Sequence, residues 1–326
     1  MTSALPPALI LRPHGRLGNH ILQWVTGQTL AARVPGLTLS NYRLPEFGLV
    51  DQGLLRRHFF LPSIFNQDSD LDLIADLMRQ GDMPLARLYC MVLQADALGD
   101  PERFRRLLPA TPVPEDATAG PGEILLNVRA DEILKARHKD YGPIPLGFYT
   151  AVLRETGLRP VFMGQLGQDH YSDLLRQSFP NARFLPSRGV MADFNALRQA
   201  RHLALSVSTF SWVAGWLSRA ESLHLPVLGM FNPAQRPDVG LLPREDARFH
   251  YYGFGIRRWT AAPDQIASLT DPTPAPLLTA DQVDTLRRDA ASARAAVRAA
   301  DAARLMAAAA LSRPFLPVLR KLYLRK

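Results

Sequence analysis

Short apolar segments alternate regularly with helical segments between residues 123 and 229 of this chain. Alternation of this kind predicts a parallel, doubly wound α/β sheet, whose ligands bind at the carboxyl ends of the strands. The predicted strands cover residues 123–128, 160–163, 182–185, 202–206 and 222–229. The predicted helices between them lie near residues 147–155, 170–177, 193–200 and 210–218.

The N-terminal half is less regular, and a second α/β domain is the expectation there. A strand over residues 8–11 runs into a helix over 19–33, and two further helices are predicted at 71–79 and 101–107. The Pro- and Gly-rich segment 109–122 predicts an interdomain linker. An Ala- and Arg-rich stretch without Gly or Pro predicts a long helix over 279–312. The expected domains are therefore residues 1–115, 116–275 and a C-terminal helix with a basic tail, 276–326.

Composition limits the class of protein. The 326 residues are 47% hydrophobic and 21% charged, which is typical of a globular chain, and Cys90 is the only cysteine. One cysteine permits no internal disulfide and no cysteine-based zinc site, which favours a reducing, cytoplasmic environment. The net charge of +8 favours anionic ligands, but the motifs of nucleic-acid-binding proteins are missing, so no nucleic-acid partner is expected.

The C-terminal tail, RPFLPVLRKLYLRK over residues 313–326, combines apolar and basic side chains. No stretch approaches the roughly 20 apolar residues of a membrane span. Two interpretations of the tail stay open. It forms a peripheral contact with anionic lipid at the inner membrane, or it packs on its own protein with its charges in solvent.

The first polar cluster is GRLGNH at residues 15–20, between the first strand and the first helix. Gly15 and Gly18 allow a sharp turn and a close approach of the backbone to a ligand. Arg16 supplies a charged fork and Asn19 an amide. The glycine spacing is neither that of the dinucleotide fingerprint nor that of the Walker motif.

The second cluster, NVRADE at residues 127–132, follows the strand predicted at 123–128. An arginine at the carboxyl end of a buried strand is well placed to bind a diphosphate through two parallel hydrogen bonds. The alternative for Arg129 is an ordinary surface pair with Asp131 or Glu132.

The third cluster follows the strand predicted at 202–206, where Ser208, Thr209 and Ser211 precede a helix. Hydroxyls and backbone N–H groups at a helix N-terminus favour phosphate binding. An ordinary serine N-cap is the alternative. Trp212 and Trp216 are expected to pack in the core, and the acidic run over 68–72 is expected to cap a helix rather than bind metal.

Together, GRLGNH at 15–20, NVRADE at 127–132 and SVSTFSWVAGWL at 206–217 resemble the motifs of the fucosyltransferase superfamily. This superfamily includes bacterial α-1,2-fucosyltransferases and protein O-fucosyltransferases. The resemblance implies a GT-B-like fold, with two Rossmann-like domains facing across a cleft, and a metal-independent, inverting transfer of a sugar from a nucleotide donor. No cofactor is implied, and the expected donor is GDP-fucose.

The resemblance also implies roles for individual residues. Arg129 would hold the β-phosphate of the donor, and Ser208 and Thr209 would bind the same diphosphate. Asp193 would recognise guanine. Arg16 and Asn19 would be catalytic with Arg129, on the acceptor side in residues 1–115 and close to the sugar and the pyrophosphate. Gly15 and Gly18 would contribute to donor binding. Further candidates are Asn127 for donor binding, and His20 and Asp131 for a general base.

This chain departs from the family pattern at four positions. Asn127 stands where the family has a histidine that contacts the base, and Ala130 where it has a second arginine. Val207 replaces the usual asparagine, and Val213 the usual second tryptophan. Three readings stay open: a fucosyltransferase acting on a glycan or glycolipid, a glycosyltransferase with another nucleotide-sugar donor, and a non-catalytic nucleotide-sugar or glycan-binding relative.

Overall fold

The computed structural model describes residues 6–52 and 61–318 and divides into two compact units. The N-terminal unit comprises Met1–Gly99 together with Ala293–Lys326, and the central unit comprises Asp100–Ser292. Each unit is built on a parallel β-sheet accompanied by helices. The predicted α/β class and the long C-terminal helix are therefore confirmed.

The sheet of the N-terminal unit has four parallel strands in the order β2-β1-β6-β5. A short antiparallel pair, β3 with β4, lies apart from it. The strands are β1 (Ala8–Leu11), β2 (Thr38–Ser40), β3 (Arg43–Leu44), β4 (Leu49–Val50), β5 (Ser63–Ile64) and β6 (Leu85–Leu88). The helices are α1 (Leu17–Arg33) and α2 (Leu71–Arg79). The predicted strand 8–11 and helix 71–79 have the observed bounds.

The acidic run over 68–72 begins α2, as the sequence indicates. The carboxylate of Asp70 is the N-cap and accepts hydrogen bonds from the backbone N–H groups of Asp72 and Leu73. Asp68 is almost completely buried and lies 3.4 Å from Nε of Arg294 and 3.6 Å from Nε of Arg298. Its charge therefore ties the start of α2 to the C-terminal helix within the same unit.

The central unit contains six parallel strands in the order β12-β11-β10-β7-β8-β9. The strands are β7 (Glu123–Val128), β8 (Arg159–Gly164), β9 (Arg183–Leu185), β10 (His202–Ala204), β11 (Ser222–Val227) and β12 (Phe249–Gly253). The helices are α3 (Pro101–Leu107), α4 (Leu146–Thr156), α5 (His170–Ser178), α6 (Val190–Gln199), α7 (Thr209–Trp216) and α8 (Pro263–Ala267). Every strand and helix predicted between residues 123 and 229 is present.

The strand order indicates at which point along this sheet a ligand can bind. Counted from β7, the order is 3-2-1-4-5-6, the doubly wound arrangement of dinucleotide-binding domains. The direction of winding reverses between β7 and β10, which creates a crevice at their carboxyl ends. All six residues of β7 are buried, as expected for a central strand covered on both faces.

The boundary between the units differs from the predicted one at 115/116. It falls at Gly99, because α3 packs into the central unit. Phe104 of α3 lies against Trp216, with 5.7 Å between ring centroids, and Arg105 binds the backbone carbonyls that end α7. The predicted linker 109–122 belongs to the central unit, where the backbone N–H of Thr111 bonds to Asn195 of α6.

The C-terminal helix α9 (Ala280–Ser312) continues from the central unit into the N-terminal unit. After it, Leu316 packs on a core cluster of the N-terminal unit that includes Ile10 and Leu85. The remainder of the predicted basic tail, residues 319–326, lies outside the described residues. Within the described part of the chain, no helix combines the length and the apolar character needed to cross a bilayer.

Candidate functional site

The second and third predicted polar clusters lie on the two sides of the reversal between β7 and β10. Arg129 follows β7 directly, and Val207 and Ser208 follow β10 and lead into α7. Nη1 of Arg129 donates a hydrogen bond of 3.2 Å to the carbonyl oxygen of Val207. The structure thus brings the predicted arginine to the turn that begins the predicted helix.

Three serines organise this turn. Oγ of Ser208 accepts a hydrogen bond from the backbone N–H of Ser211, at 3.0 Å, so Ser208 is the N-cap of α7. Oγ of Ser211 accepts from the backbone N–H of Ser206, also at 3.0 Å. The hydroxyl of Ser206 in turn lies 3.2 Å from that of Ser208. These bonds fix the N-terminus of α7, where partial positive charge accumulates. Thr209, the first residue of the helix, is half-buried beside it.

Asn127 is held inside the sheet. Its Oδ1 accepts a hydrogen bond of 2.7 Å from the hydroxyl of Ser206, and its Nδ2 donates to the carbonyl oxygen of Met163 at 3.3 Å. Only 5% of the residue is exposed. The oxygen and the nitrogen of the amide therefore both connect β7 with its neighbours, and Asn127 holds the hydroxyl of Ser206 in place.

The guanidinium of Arg129 has two further partners. Its Nη2 donates to Oε1 of Glu132 at 3.1 Å, but this pair is partly buried rather than the surface pair considered as the alternative. The guanidinium carbon lies 4.8 Å from the centre of the Tyr141 ring, a cation–π distance. Burial raises the pKa of the Tyr141 phenol, so this ring is neutral at physiological pH. With 23% of its side chain exposed, Arg129 still reaches solvent.

Gln165, at the end of β8, completes this arrangement. Its Nε2 donates to Oε2 of Glu132 at 3.3 Å, and its Oε1 accepts from the backbone N–H of Ala130 at 3.1 Å. Ala130, which stands where the fucosyltransferase pattern has a second arginine, is completely buried. Sequence reasoning missed Gln165 and Tyr141, whose distance along the chain from Arg129 gives no local signal.

The loop that carries Tyr141 is anchored by residues that come later in the chain. The backbone N–H of Trp259 donates to the carbonyl oxygen of Lys139 at 2.8 Å. The carboxylate of Asp140 accepts from Nε2 of Gln235 at 2.9 Å and from Nη1 of Arg236 at 3.1 Å. This long connection between β7 and α4 is therefore held in place, and Tyr141 stays against the guanidinium of Arg129.

Asp131 and Asp193 each have their own local partners. Asp131 adopts a positive φ of 43° and is exposed, with Oδ1 3.4 Å from Nζ of Lys135. The carboxylate of Asp193, in the first turn of α6, accepts hydrogen bonds from the hydroxyl of Ser187 and the backbone N–H of Arg188. In the part of the chain that the structure describes, the bonds of both aspartates are local and do not reach Arg129. The guanine contact of Asp193 stays a prediction.

The GRLGNH motif occupies the corresponding position in the N-terminal unit, after β1 and at the start of α1. Gly15 has a φ of +79°, and a Cβ there would lie 2.3 Å from Nδ2 of Asn19. The carbonyl oxygen of Arg16 accepts from the backbone N–H groups of Asn19 and His20, at 2.9 and 3.1 Å. The amide of Asn19 therefore folds over Gly15, Arg16 is exposed, and Gly18 is buried in the first turn of the helix.

Two residues near this motif, Gln23 and Glu46, affect its position and its electrostatics. Nε2 of Gln23 lies 3.1 Å from the carbonyl oxygens of both Arg12 and Leu88, which fixes α1 to the ends of β1 and β6. Burial lowers the pKa of His20, although the nearby carboxylate of Glu46 acts in the opposite direction. His20 is therefore a neutral imidazole at physiological pH, the form in which it can accept a proton.

Within the described residues, no group of three His, Cys, Asp or Glu side chains is arranged to hold a metal ion. Fixed positive charge at the carboxyl ends of β7 and β10 is supplied by Arg129 and by the N-terminus of α7.

Comparison with known proteins gives little beyond the fold. No family model matches the sequence, and no curated protein matches it. Among solved structures, the E. coli heptosyltransferase WaaC with ADP is 13% identical, with a TM-score of 0.36 over 89% of this chain and 99% of that chain.

The dodecameric, iron-containing glycosyltransferase TibC of enterotoxigenic E. coli H10407 is 14% identical, with a TM-score of 0.39 over 90% of this chain and 78% of that chain. A TibC structure with ADP-D-beta-D-heptose gives the same values. At these TM-scores the likeness carries no argument about function.

Proposed function

We propose that this protein is a glycosyltransferase that binds the diphosphate of a nucleotide sugar at the carboxyl ends of β7 and β10. One observation carries the proposal: the guanidinium of Arg129 and the N-terminus of α7 meet where the sheet reverses, joined through the carbonyl of Val207. A guanidinium fork and a helix N-terminus are both suited to phosphate oxygens, and both are fixed before a ligand arrives.

The chemistry follows from where charge develops. The bond between the anomeric carbon and the diphosphate oxygen breaks, and that oxygen keeps the electron pair. Arg129 and the N–H groups of α7 stabilise the developing negative charge, which is the role that a divalent cation has in other transferases. The acceptor hydroxyl forms the new bond to the anomeric carbon from the opposite face, which inverts its configuration. The hydroxyl proton passes to a base, for which neutral His20 and exposed Asp131 are the candidates.

Glu132 and Tyr141 position the arginine rather than bind the donor. The carboxylate holds one edge of the guanidinium and the ring lies against its face, so both contacts restrict the orientation of the guanidinium. Positioning of this kind reduces the reorganisation needed as the diphosphate departs.

GDP-fucose is the donor that we propose, with a hydroxyl of a glycan or glycolipid as acceptor. The three motifs and their order support it. Two features of the site weaken the analogy, because Ala130 is buried and the amide of Asn127 is occupied inside the sheet. Another nucleotide sugar is therefore the alternative donor, and a nucleotide-sugar-binding relative without turnover is the alternative function.

A panel of nucleotide sugars, incubated with the full chain in EDTA with and without acceptor glycans, separates these alternatives. Release of GDP from GDP-fucose in EDTA supports the proposal, and release from a different donor reassigns the sugar. A thermal shift with nucleoside diphosphates but no turnover with any donor favours the non-catalytic relative. The proposal is overturned if no nucleoside diphosphate shifts the melting temperature.

The C-terminal segment adds a second proposal, a peripheral contact with anionic lipid through residues 313–326. Its basis is the mixture of basic and apolar side chains in the sequence, and Val318 is 58% exposed. Co-sedimentation with vesicles containing phosphatidylglycerol is expected for the full chain and lost after removal of residues 319–326. Equal sedimentation of both chains would contradict it.

A further inference from the structure

The central unit contains an open-sided pocket at the opposite edge of its sheet from Arg129. The pocket has a volume of about 560 Å³. Its walls come from α3, from the end of α6, and from the residues that precede β10 and β11. Binding sites for small molecules have volumes of about 300–1,000 Å³, so the space suits a ligand larger than a single inorganic ion.

The lining of this pocket is strongly basic. It contains five arginines but only two carboxylates. The arginines are Arg105, Arg106, Arg198, Arg201 and Arg219, and the carboxylates are Glu102 and Glu221. Like charges concentrated in a concave surface raise the local potential and attract anions.

Arg198, at the end of α6, is the most unusual of these residues. It is 6% exposed and donates a single hydrogen bond, from Nη1 to the carbonyl oxygen of Leu108 at 2.8 Å. Its buried Nε has no hydrogen-bond partner, and no carboxylate pairs with it among the described residues. Burial, reinforced by the positive charge of Arg105, lowers its pKa to about 10. A buried cation without a counter-ion is costly unless an anion from outside the protein compensates it.

The neighbouring arginines leave this charge uncompensated. Arg105 donates to the carbonyl oxygens of Leu217 at 3.1 Å and Ser218 at 2.7 Å, and it shares Glu102 with Arg219. The exposed side chain of Arg106 has no bonded partner among the residues that the structure describes.

The second carboxylate of the pocket is also occupied. Arg201 pairs with Glu221 at 2.7 Å. Both carboxylates are therefore engaged by other arginines, and neither forms an ion pair with Arg198 or Arg106 among the described residues.

A purely structural role for Arg198 would be to hold the carbonyl of Leu108 and to pack its guanidinium on the ring of Phe194, whose centre lies 5.7 Å away. Neither contact supplies a negative charge, and neither accounts for four other arginines around the same space. We propose that this pocket binds a small molecule carrying phosphate groups, at a site separate from the one formed by Arg129 and α7. Arg198 would bind the phosphate at the base of the pocket, with Arg106 and Arg201 at its rim.

Inorganic pyrophosphate is a suitable probe, measured by isothermal titration against full-length protein at constant ionic strength. The Arg129→Ala variant is used as the background, because it removes the proposed donor site. In that background, we expect pyrophosphate to bind and equimolar sulfate to bind at least tenfold more weakly. Arg106→Gln with Arg201→Gln should weaken pyrophosphate binding about tenfold. The matched control is Arg154→Gln, an exposed arginine of α4 outside the pocket, which should leave the affinity unchanged.

Two results would overturn the proposal. One is the absence of pyrophosphate binding at millimolar concentration in the Arg129→Ala background. The other is the same affinity in the Arg106→Gln, Arg201→Gln variant as in the Arg154→Gln control. Since Arg106 and Arg201 are exposed, these substitutions leave the core intact, and the test does not depend on a change at buried Arg198.

Discussion

Arg129 and Val207 are joined by a hydrogen bond of 3.2 Å between a guanidinium N–H and a backbone carbonyl. They lie 78 residues apart in sequence but on adjacent strand ends. Because Val207 immediately precedes the N-cap of α7, this bond fixes the arginine and the helix N-terminus relative to each other. A diphosphate that meets one of these groups therefore meets the other.

Arg129→Ala should abolish most transfer while leaving the fold intact. Loss of a fixed donor to a developing oxyanion typically lowers kcat by about 10²–10³. Arg129→Lys should recover little of the activity, since an ammonium keeps the charge but not the planar fork. Release of nucleoside diphosphate measures the effect, and urea unfolding checks the fold.

Arg154→Ala is the control for this substitution, because it removes an exposed arginine elsewhere in the same unit. It should leave turnover unchanged. Turnover of Arg129→Ala within a few-fold of that of the unsubstituted protein would show that Arg129 has no role in the reaction.

Substitutions at Ser208 and Thr209 are expected to affect different properties, the first the stability of the fold and the second the binding of a nucleoside diphosphate. Ser208→Ala removes the acceptor for the backbone N–H of Ser211, and loss of such a cap costs about 1 kcal/mol of unfolding free energy. Thr209→Val preserves the shape of the side chain and the cap at Ser208, and it should weaken nucleoside diphosphate binding several-fold. Chemical denaturation and titration calorimetry measure the two effects. Unchanged stability of Ser208→Ala would contradict its role as a cap.

The elements that sequence predicts best are those with strong local signals. The helix α2 has its predicted bounds because an aspartate cap precedes an amphipathic segment, and β7 because an apolar run follows a glycine turn. The strands β6 and β12 were not predicted. β6 contains Arg87, and β12 contains two tyrosines. β6 becomes a strand by pairing with β1, and β12 by pairing with β11. These partners lie in other parts of the chain, so no local pattern indicates them.

The candidate site is likewise only partly predictable from the sequence. The sequence places Arg129 and Ser208 at strand ends, and the order of strands brings them together. It does not show that Asn127 points into the sheet, because a strand buried on both faces has no alternation that distinguishes a ligand side. It also does not show Gln165, which reaches the site only because β8 lies beside β7.

Gly15→Ala tests the motif of the N-terminal unit. A methyl group there would lie 2.3 Å from the amide nitrogen of Asn19 and would occupy a left-handed backbone conformation. We expect Asn19 to be displaced, transfer to fall at least tenfold, and stability to fall by about 1 kcal/mol. Gly36→Ala is the control, since its φ is also positive but no atom lies near its Cβ. Equal activity of the two variants would exclude a role for Asn19.

Asp68→Ala should destabilise the N-terminal unit strongly. The substitution leaves the side chains of Arg294 and Arg298 without the buried carboxylate that they face. Removing one partner of a buried ion pair costs about 3–5 kcal/mol. Asp76→Ala, which breaks a half-exposed pair with Arg79, should cost less than about 1 kcal/mol. Urea denaturation measures the loss of unfolding free energy in both variants. Similar losses would show that the buried pairing of Asp68 stabilises the unit no more than the half-exposed pair does.

The burial of His224 predicts how the free energy of unfolding depends on pH. The imidazole is 1% exposed and lies between the hydroxyls of Tyr252, at 2.9 Å, and Ser222, at 3.0 Å. Burial, together with the neighbouring rings of His250 and His202, lowers its pKa to about 3. Below pH 6.5 the unfolded chain therefore binds a proton at this position that the folded chain does not.

Stability from this group is fully present above pH 6.5 and declines as the pH falls toward 3. Between pH 7.5 and 5.5 the loss due to His224 should be about 1.4 kcal/mol. His224→Gln should remove that part of the pH dependence, whereas the exposed His170→Gln should retain it. Urea denaturation at both pH values measures the difference. If the His224→Gln variant lost as much stability on acidification as the unsubstituted protein, protonation of His224 would not account for it.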